Sequence, residues 1–361
     1  MTVNTTPVIL RSKLRQSSLV HYLYYGLGID VLFLHFSTFW EEKKLEIMKK
    51  FLTEEEMKES KTVKQISKDI DKCYNKYKIT PLEYFLFGMR FADKEKRKTY
   101  ISDKVLFSAV AKTGTRPLHD AELNDKFHFY ELTSEYFKRS AIEVKKVEDR
   151  AKFEQFVEGK DKVILKPNSA ACGSGIFISK TDDPKSLFDK LMAAKGDWIV
   201  EELIKQCSTM AAWNPSSVNT VRITTFKNSR GTFIHCPFMR VGRAGSDVDN
   251  GGQGGIYALV DAETGVISSD GKDERCNIYV VHPDSKVPFK GVQIPRWNEL
   301  RQLVVEIHNK KMPMHVYIGW DFALTDDGWV LIEGNWGEYV CQQSVSGHGY
   351  KEEFMSYLRG K

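Results

Sequence analysis

Asp321 and Glu333 each interrupt a strongly apolar run, VYIGWDFALTDDGWVLIEGNWGE over residues 316–338. The stretch is rich in β-branched and aromatic residues on both sides of Thr325-Asp326-Asp327-Gly328, which is turn chemistry, so it reads as a β-hairpin. A three-residue loop with Gly328 in the left-handed conformation sets Asp321 opposite Glu333 and Gly319 opposite Asn335. Opposed Cβ atoms lie about 5 Å apart, and like charges so placed repel. Glu333 and Asn335 share that face, while Ile318, Trp320, Phe322, Val330 and Ile332 form the other and read as core. Two carboxylates in such a setting are costly unless a cation lies between them. A hard divalent ion with oxygen ligands fits, and Mg2+ is the usual choice beside phosphates. An ordinary hairpin with a solvated polar face remains the open alternative.

A second group of residues suits anions. In LKPNSAACGSGIFI, Lys166 ends a strand and a loop of small residues follows. Such a loop lets backbone N–H groups close around phosphate oxygens, with the lysine as a point charge. It is neither a P-loop nor a dinucleotide fingerprint, since no Gly-Lys-Ser/Thr follows and the loop leads into a strand. The other reading is a plain glycine hairpin. WIVEELI (198–204) offers extended backbone and two glutamates, features that also suit an ordinary strand. Arg222 lies inside the apolar strand SVNTVRITTF, and FMRVGRAGSDVDNGGQGG adds Arg240, Arg243 and Asn250, the last followed by four glycines at 251, 252, 254 and 255. Arginine forks near a glycine-rich loop are compatible with anion recognition.

The elements that must position these residues follow from periodicity. Residues 1–98 form a helical N-terminal region, in which Thr53 with Glu56 resembles a capping box. Strands are expected at 162–167, 175–180 and 198–204, with a helix at 182–196 that has Pro near its start and Gly after its end. Successive antiparallel strands follow at NTVRITTFKN, TFIHCPFMRVGR and GIYALVDAETGVI, then an amphipathic helix at 296–312 and the hairpin. The pattern is α+β with mostly antiparallel sheets, not a doubly wound fold.

Composition narrows the classes. With 361 residues and 42% hydrophobic content, the chain can build two or three domains or one large unit with an appendage. A formal charge of +5 without a dense basic run argues against nucleic acid. The most apolar segment, within residues 20–40, contains Asp30 and falls short of the ~20 apolar residues a spanning helix needs. No signal peptide is visible and the six cysteines are scattered, so a cytoplasmic protein with free thiols is expected. His119, His282, His315 and His348 read as structural histidines, and Cys341 as a packing thiol.

In order along the chain these motifs resemble the ATP-grasp superfamily, and within it the sugar-transfer-associated ATP-grasp group. The residues that carry the resemblance are Ser-Asp-Lys at 102–104, Lys-Pro at 166–167, the glycine hairpin, Val-Glu-Glu-Leu at 200–203, Asn-Thr-Val-Arg at 219–222, Asp-Asn-Gly-Gly at 249–252, and Asp321 with Glu333-Gly-Asn335. Glutamate ligases of the RimK type are more distant relatives. The resemblance implies an ATP-grasp fold in which two α+β subdomains, 99–205 (lid) and 206–361 (metal-bearing), grip ATP between antiparallel sheets. It implies that Lys104 and Lys166 contact the ATP phosphates and that Gly173, Ser174 and Gly175 lie in the loop covering them. Glu201, Glu202 and Leu203 would line the adenine and ribose pocket, with the ribose contact open between Gln206 and Ser208. Asp321, Glu333 and Asn335 would hold Mg2+. Arg222 would meet the γ-phosphate or the developing acyl phosphate, and Arg240 with Asn250 the acceptor or its phosphorylated form. The implied activity is an ATP-dependent carboxylate–amine ligase working through an acyl phosphate, on small-molecule acid and amine substrates such as an amino sugar or a sugar-linked, cell-surface precursor in polysaccharide biosynthesis. A kinase acting on a small-molecule hydroxyl is the alternative. For the N-terminal region a helical cap, a homodimer surface and a dock for a glycosyltransferase all stay open.

Overall fold

The structure is a computed structural model that describes residues 38–168, 175–194 and 196–360. The aromatic stretch before residue 38 and the loop positions Cys172, Gly173 and Ser174 lie outside the described residues. The chain divides into two compact units, Met1–Arg116 with Glu338–Met355, and Pro117–Gly337 with Ser356–Lys361.

The first unit is helical among its described residues. Helix Glu54–Lys58 starts with the capping box expected from Thr53 and Glu56. Helix Pro81–Leu86 starts the same way: Thr80 and Glu83 cap each other and Pro81 sits where no N–H is needed.

The second unit contains two antiparallel sheets, and the fold is α+β as the sequence indicates. The smaller is built from β1 (Ala141–Val144), β2 (Lys162–Pro167), β3 (Phe177–Lys180) and β4 (Trp198–Glu201), in the order β1-β4-β2-β3. Helix Pro184–Ala193 supplies Leu187, Phe188 and Leu191 to its core beside Val163, Leu165 and Val200. The larger sheet holds β5 (Thr220–Asn228), β6 (Gly231–Val241), β7 (Ile256–Leu259), β8 (Gly271–Lys272), β9 (Ile278–Tyr279), β10 (Tyr317–Thr325) and β11 (Gly328–Asn335). Their order is β11-β10-β5-β6-β7-β8-β9. Helix Trp297–Lys311 contributes Trp297, Leu300, Val304 and Ile307 to the core under one face of this sheet, together with Phe129 of helix Lys126–Phe137.

The β10–β11 hairpin corrects one expectation. Thr325 pairs with Gly328, so the turn has two central residues, Asp326 and Asp327, not three. Gly328 has φ +116, a conformation that suits glycine. The pairing then shifts by one residue: Phe322 faces Leu331, but Asp321 faces Glu333, which leaves Ile332 as a bulge. Trp329 and Leu331 therefore join Trp320, Phe322 and Leu324 in the cluster under one face, whereas Val330 is buried outside that cluster and Ile332 is only half-buried. A bulge re-aims every side chain beyond it. Without this one, Glu333 would continue the face of Trp329 and Leu331 and point its carboxylate into the core.

Candidate active site

The larger sheet's other face carries the polar residues. Asp321 pairs across the ladder with Glu333 on one side and Arg222 on the other, and Thr220 pairs with Arg240 on the next strand. Asp321 is 1% exposed. Arg222 Nε donates to Asp321 Oδ1, and Arg222 Nη2 donates to Oδ2 at 2.8 Å. Arg240 Nη2 lies 2.9 Å from the same Oδ2. Burial works to raise the Asp321 pKa, but the Arg222 and Arg240 charges outweigh it and hold the carboxyl well below the usual range. Glu333 moves the other way: burial and then the Asp321 charge raise it. The two acids behave as a coupled pair in which one stays ionised and the other holds its proton more tightly.

Asn335 lies two residues beyond Glu333 on the same face. Its Oδ1 accepts from Gly337 N at 2.8 Å. Gly319 opposite leaves room for this turn, since a Cβ there would meet Asn335 Oδ1 at 2.7 Å and Gly337 Cα at 2.6 Å. Asp321, Glu333 and Asn335 are thus brought together. As donors for a hard cation, Glu333 and Asn335 fit directly, and a cation would relieve the repulsion that Glu333 meets from Asp321. Asp321 would take part by sharing an oxygen now contacted by arginine. Among the described residues, no group of three or more His, Cys, Asp or Glu side chains is arranged to hold a metal ion. Such a cation would rest on two carboxylates and an amide, with the remaining ligands supplied from outside the protein.

Arg240 is held from behind. Its Nε donates to Thr220 Oγ1 at 3.0 Å, and buried Asp249 accepts from Thr220 N at 3.0 Å and from the Thr220 hydroxyl. Asn250 starts the short turn Gly251–Gln253, its carbonyl accepting from Gln253 N and Gly255 N. The root of this loop is clasped by the turn at 282–285: His282 Nε2 meets Gly242 O at 3.0 Å, and Asp284 binds Arg243 Nε and Ala244 N.

The smaller sheet presents a second charge centre. Lys166 at the end of β2 is 2.8 Å from Glu201 Oε1 on β4, and Arg139 Nη2 donates to Glu201 Oε2 at 2.6 Å. Burial would raise the Glu201 carboxyl, but Lys166 and Arg139 bring it down to about 2. Glu202 turns away to Ser140 N at 2.9 Å, Leu203 is exposed, and Gly175 is exposed at the end of the glycine hairpin. Gln206 uses its amide internally, donating to Asn214 O and Ser217 O and accepting from Asn219 N.

Lys104 belongs to the helical unit, where it is buried and donates to Tyr74 Oη at 3.2 Å. The sheet unit instead offers a lysine the motif reading passes over. Lys126 opens helix Lys126–Phe137 behind the N-cap Asp125, and its Nζ donates to Asn168 O at 3.3 Å. Its pKa is lowered by burial, and the charges of Glu333, Lys166 and Glu201 all act on it, so it feels both charge centres. The available signal is Asn-Asp-Lys at 124–126, which repeats the Asp-Lys helix start of 103–104. The buried histidines are structural in placement: His308 bonds Thr225 and His315 O, while His119 packs on His315 and Trp336. Among the described residues no helix is long and apolar enough to cross a membrane.

Residues 116–356, about two thirds of the chain, match the family described as sugar-transfer associated ATP-grasp. No curated protein is significantly similar in sequence. Among solved structures, D-alanyl-alanine synthetase A from Vibrio cholerae O1 biovar eltor is 13% identical with a TM-score of 0.44, over 68% of this chain and 66% of that one. VanG D-Ala:D-Ser ligase from Enterococcus faecalis is 13% identical with a TM-score of 0.45, over 67% of this chain and 62% of that one. The ATP-grasp ligase PsnB complexed with minimal precursor is 12% identical with a TM-score of 0.43, over 74% of this chain and 69% of that one. The chain thus spans about two thirds of the length of these structures.

Proposed function

This chain belongs to the sugar-transfer-associated ATP-grasp family, and we propose that it is an ATP-dependent ligase that joins a carboxylate to an amine through an acyl phosphate. The observation that carries this reading is the opposition of Asp321 and Glu333 across β10–β11, with Arg222 and Arg240 gripping the ionised member of the pair. Phosphoryl transfer asks for positioned charge more than for a covalent nucleophile.

Lys166 and Lys126 grip the phosphates; Lys126 takes the place given to Lys104 because its charge interacts with Glu333 and Glu201, whereas Lys104 precedes the matched residues. Gly173, Ser174 and Gly175 are assigned to the phosphates by the family resemblance, and the backbone around Glu202 and Leu203 lines the adenine end. Glu333, Asn335 and Asp321 hold Mg2+, which neutralises phosphate charge when bound. Arg222 stays on Asp321 and projects its field toward the transferred phosphoryl group. Arg240, the more exposed of the two guanidiniums, turns with Asn250 toward the acid substrate. The subdomains of the grasp are 99–205 and 206–361, which separate the two sheets. The family's description supports an amino sugar or a sugar-linked precursor as the amine.

The test is phosphate release from purified protein supplied with ATP, Mg2+, amino acids and amino sugars. ADP and phosphate are expected only when acid and amine are both present; a stable phosphorylated product would instead make the protein a kinase. Glu333→Gln is expected to cost at least about 10³-fold in turnover with the fold intact. Full activity in that variant would remove the acid pair from the mechanism.

A further inference from the structure

Arg139 lies outside every motif that led to the site, in the link between helix Lys126–Phe137 and β1. Its side chain is only 6% exposed, yet each nitrogen of its guanidinium is engaged. Nε and Nη2 donate to Glu201 Oε2 at 3.0 and 2.6 Å. Nη1 donates to Leu331 O at 2.8 Å and to Phe137 O at 3.3 Å, and the Phe137 ring lies 4.6 Å from the guanidinium carbon. Glu201 divides its two oxygens, one for Arg139 and the other for Lys166 at 2.8 Å. Leu331 is the last residue of β11 before the bulge that turns Glu333 toward Asp321.

We propose that Arg139 is a positioning residue: acting through Glu201 it fixes the ammonium of Lys166, and acting through the Leu331 carbonyl it fixes that ammonium relative to the strand carrying Glu333. The inference rests on the ATP reading above, since it assigns to Lys166 the nucleotide phosphates. A lysine ammonium on a flexible four-carbon stem has no preferred direction of its own. Glu201 gives it one, and a buried Glu201 keeps a single orientation only because the planar arginine fork holds its second oxygen. Lysine at 139 could contact Glu201 or the Leu331 carbonyl, but could not span both with a rigid plane.

Dissociation constants for MgATP and for adenosine separate this role from a general loss of structure. Arg139→Lys is expected to weaken MgATP about tenfold and adenosine less than about twofold, because only the phosphates meet Lys166. In a Lys166→Met background the same substitution is expected to add less than about twofold, the signature of two residues acting as one unit. Glu201→Gln, which keeps the shape of the side chain, should reproduce the phosphate-selective loss even if Arg139→Lys folds poorly. Equal losses for MgATP and adenosine, or full additivity with Lys166→Met, would overturn the proposal. If wild-type protein binds neither ligand, the ligase reading fails first and this inference falls with it. Wild-type binding with an unselective Arg139→Lys sinks the inference alone.

Discussion

The two sheets of the second unit handle buried charge in opposite ways. In the smaller sheet two cations, Lys166 and Arg139, share one carboxylate, Glu201. In the larger sheet two cations, Arg222 and Arg240, face three carboxylates, Asp321, Asp249 and Glu333. The first centre therefore has positive charge to spare and the second has negative charge to spare. The pKa shifts report the same contrast: Glu201 is held down to about 2, whereas Glu333 is pushed up. A centre that lacks an anion suits phosphates, and a centre that lacks a cation suits a metal ion. The nucleotide and divalent ion of the proposed reaction would supply both at once.

The comparison breaks most visibly at Asp321. Replacing it with Asn removes the charge that two buried guanidiniums share, and breaking both of these buried pairs at once is expected to cost about 3–5 kcal/mol of stability. The denaturant midpoint should fall sharply with an unchanged slope. The matching change in Glu333 should leave stability nearly intact, since Glu333→Gln relieves repulsion instead of removing compensation. If both variants melted alike, the two acids would not differ in role and the reading of a charge-rich sheet with one poised member would be wrong.

A smaller effect sharpens the boundary between the two centres. Lys126→Met is expected to weaken MgATP by about 10- to 100-fold, the range for losing one charge-assisted hydrogen bond. Lys104→Met should instead lower stability, because it empties a buried contact with Tyr74 in the helical unit. The reverse result, affinity lost at 104 and kept at 126, would return the first phosphate contact to the Ser-Asp-Lys motif.

How far such residues can be read from sequence differs by case. The pairing of Asp321 with Glu333 is legible, but through two compensating steps. A three-residue loop and a two-residue turn followed by a bulge insert the same extra residue on β11, so parity agrees at Glu333 and Asn335 and disagrees at Trp329 to Ile332. Periodicity fixes which residues alternate, while a bulge is set by the core demanding Leu331 and rejecting Glu333. The strand at Lys162–Pro167 and the helix Trp297–Lys311 are legible because pattern and punctuation agree there. Lys126 is hard to see because Asp-Lys opens a helix at 93–94, 103–104 and 125–126 among the described residues, and spacing does not choose among them. Arg139 is invisible to motif reading: its partners Glu201 and Leu331 lie 62 and 192 residues away. Charge centres assembled by such distant pairs leave no local pattern.

The smallest expected effect uses pH to pull the two centres apart. Glu333 titrates above its ordinary value, so in the absence of metal the folded state holds that proton more tightly than the unfolded chain does. The sign follows: its contribution to stability is present below the ordinary carboxylate value and is lost as pH rises through the raised one. A metal ion must displace that proton, so below the raised pKa each pH unit is expected to cost up to about tenfold in Mg2+ affinity. Glu201 stays ionised down to about 2, so the grip of Lys166 does not change over the same range. As pH falls through the raised Glu333 value, then, nucleotide binding should lose its dependence on Mg2+ before it loses its dependence on Lys166. Glu333→Gln supplies the baseline, because it retains only the nucleotide's own titration. Partial unfolding would mimic the loss: buried His119 and His315 are depressed to about 3 and about 4, so the fold weakens as pH drops below their ordinary value. A thermal melt at each pH separates the two causes. If wild type and Glu333→Gln showed the same pH dependence of the Mg2+ effect while both stayed folded, the cation would be held by groups other than the β10–β11 acids, and the contrast between the sheets would lose its chemical meaning.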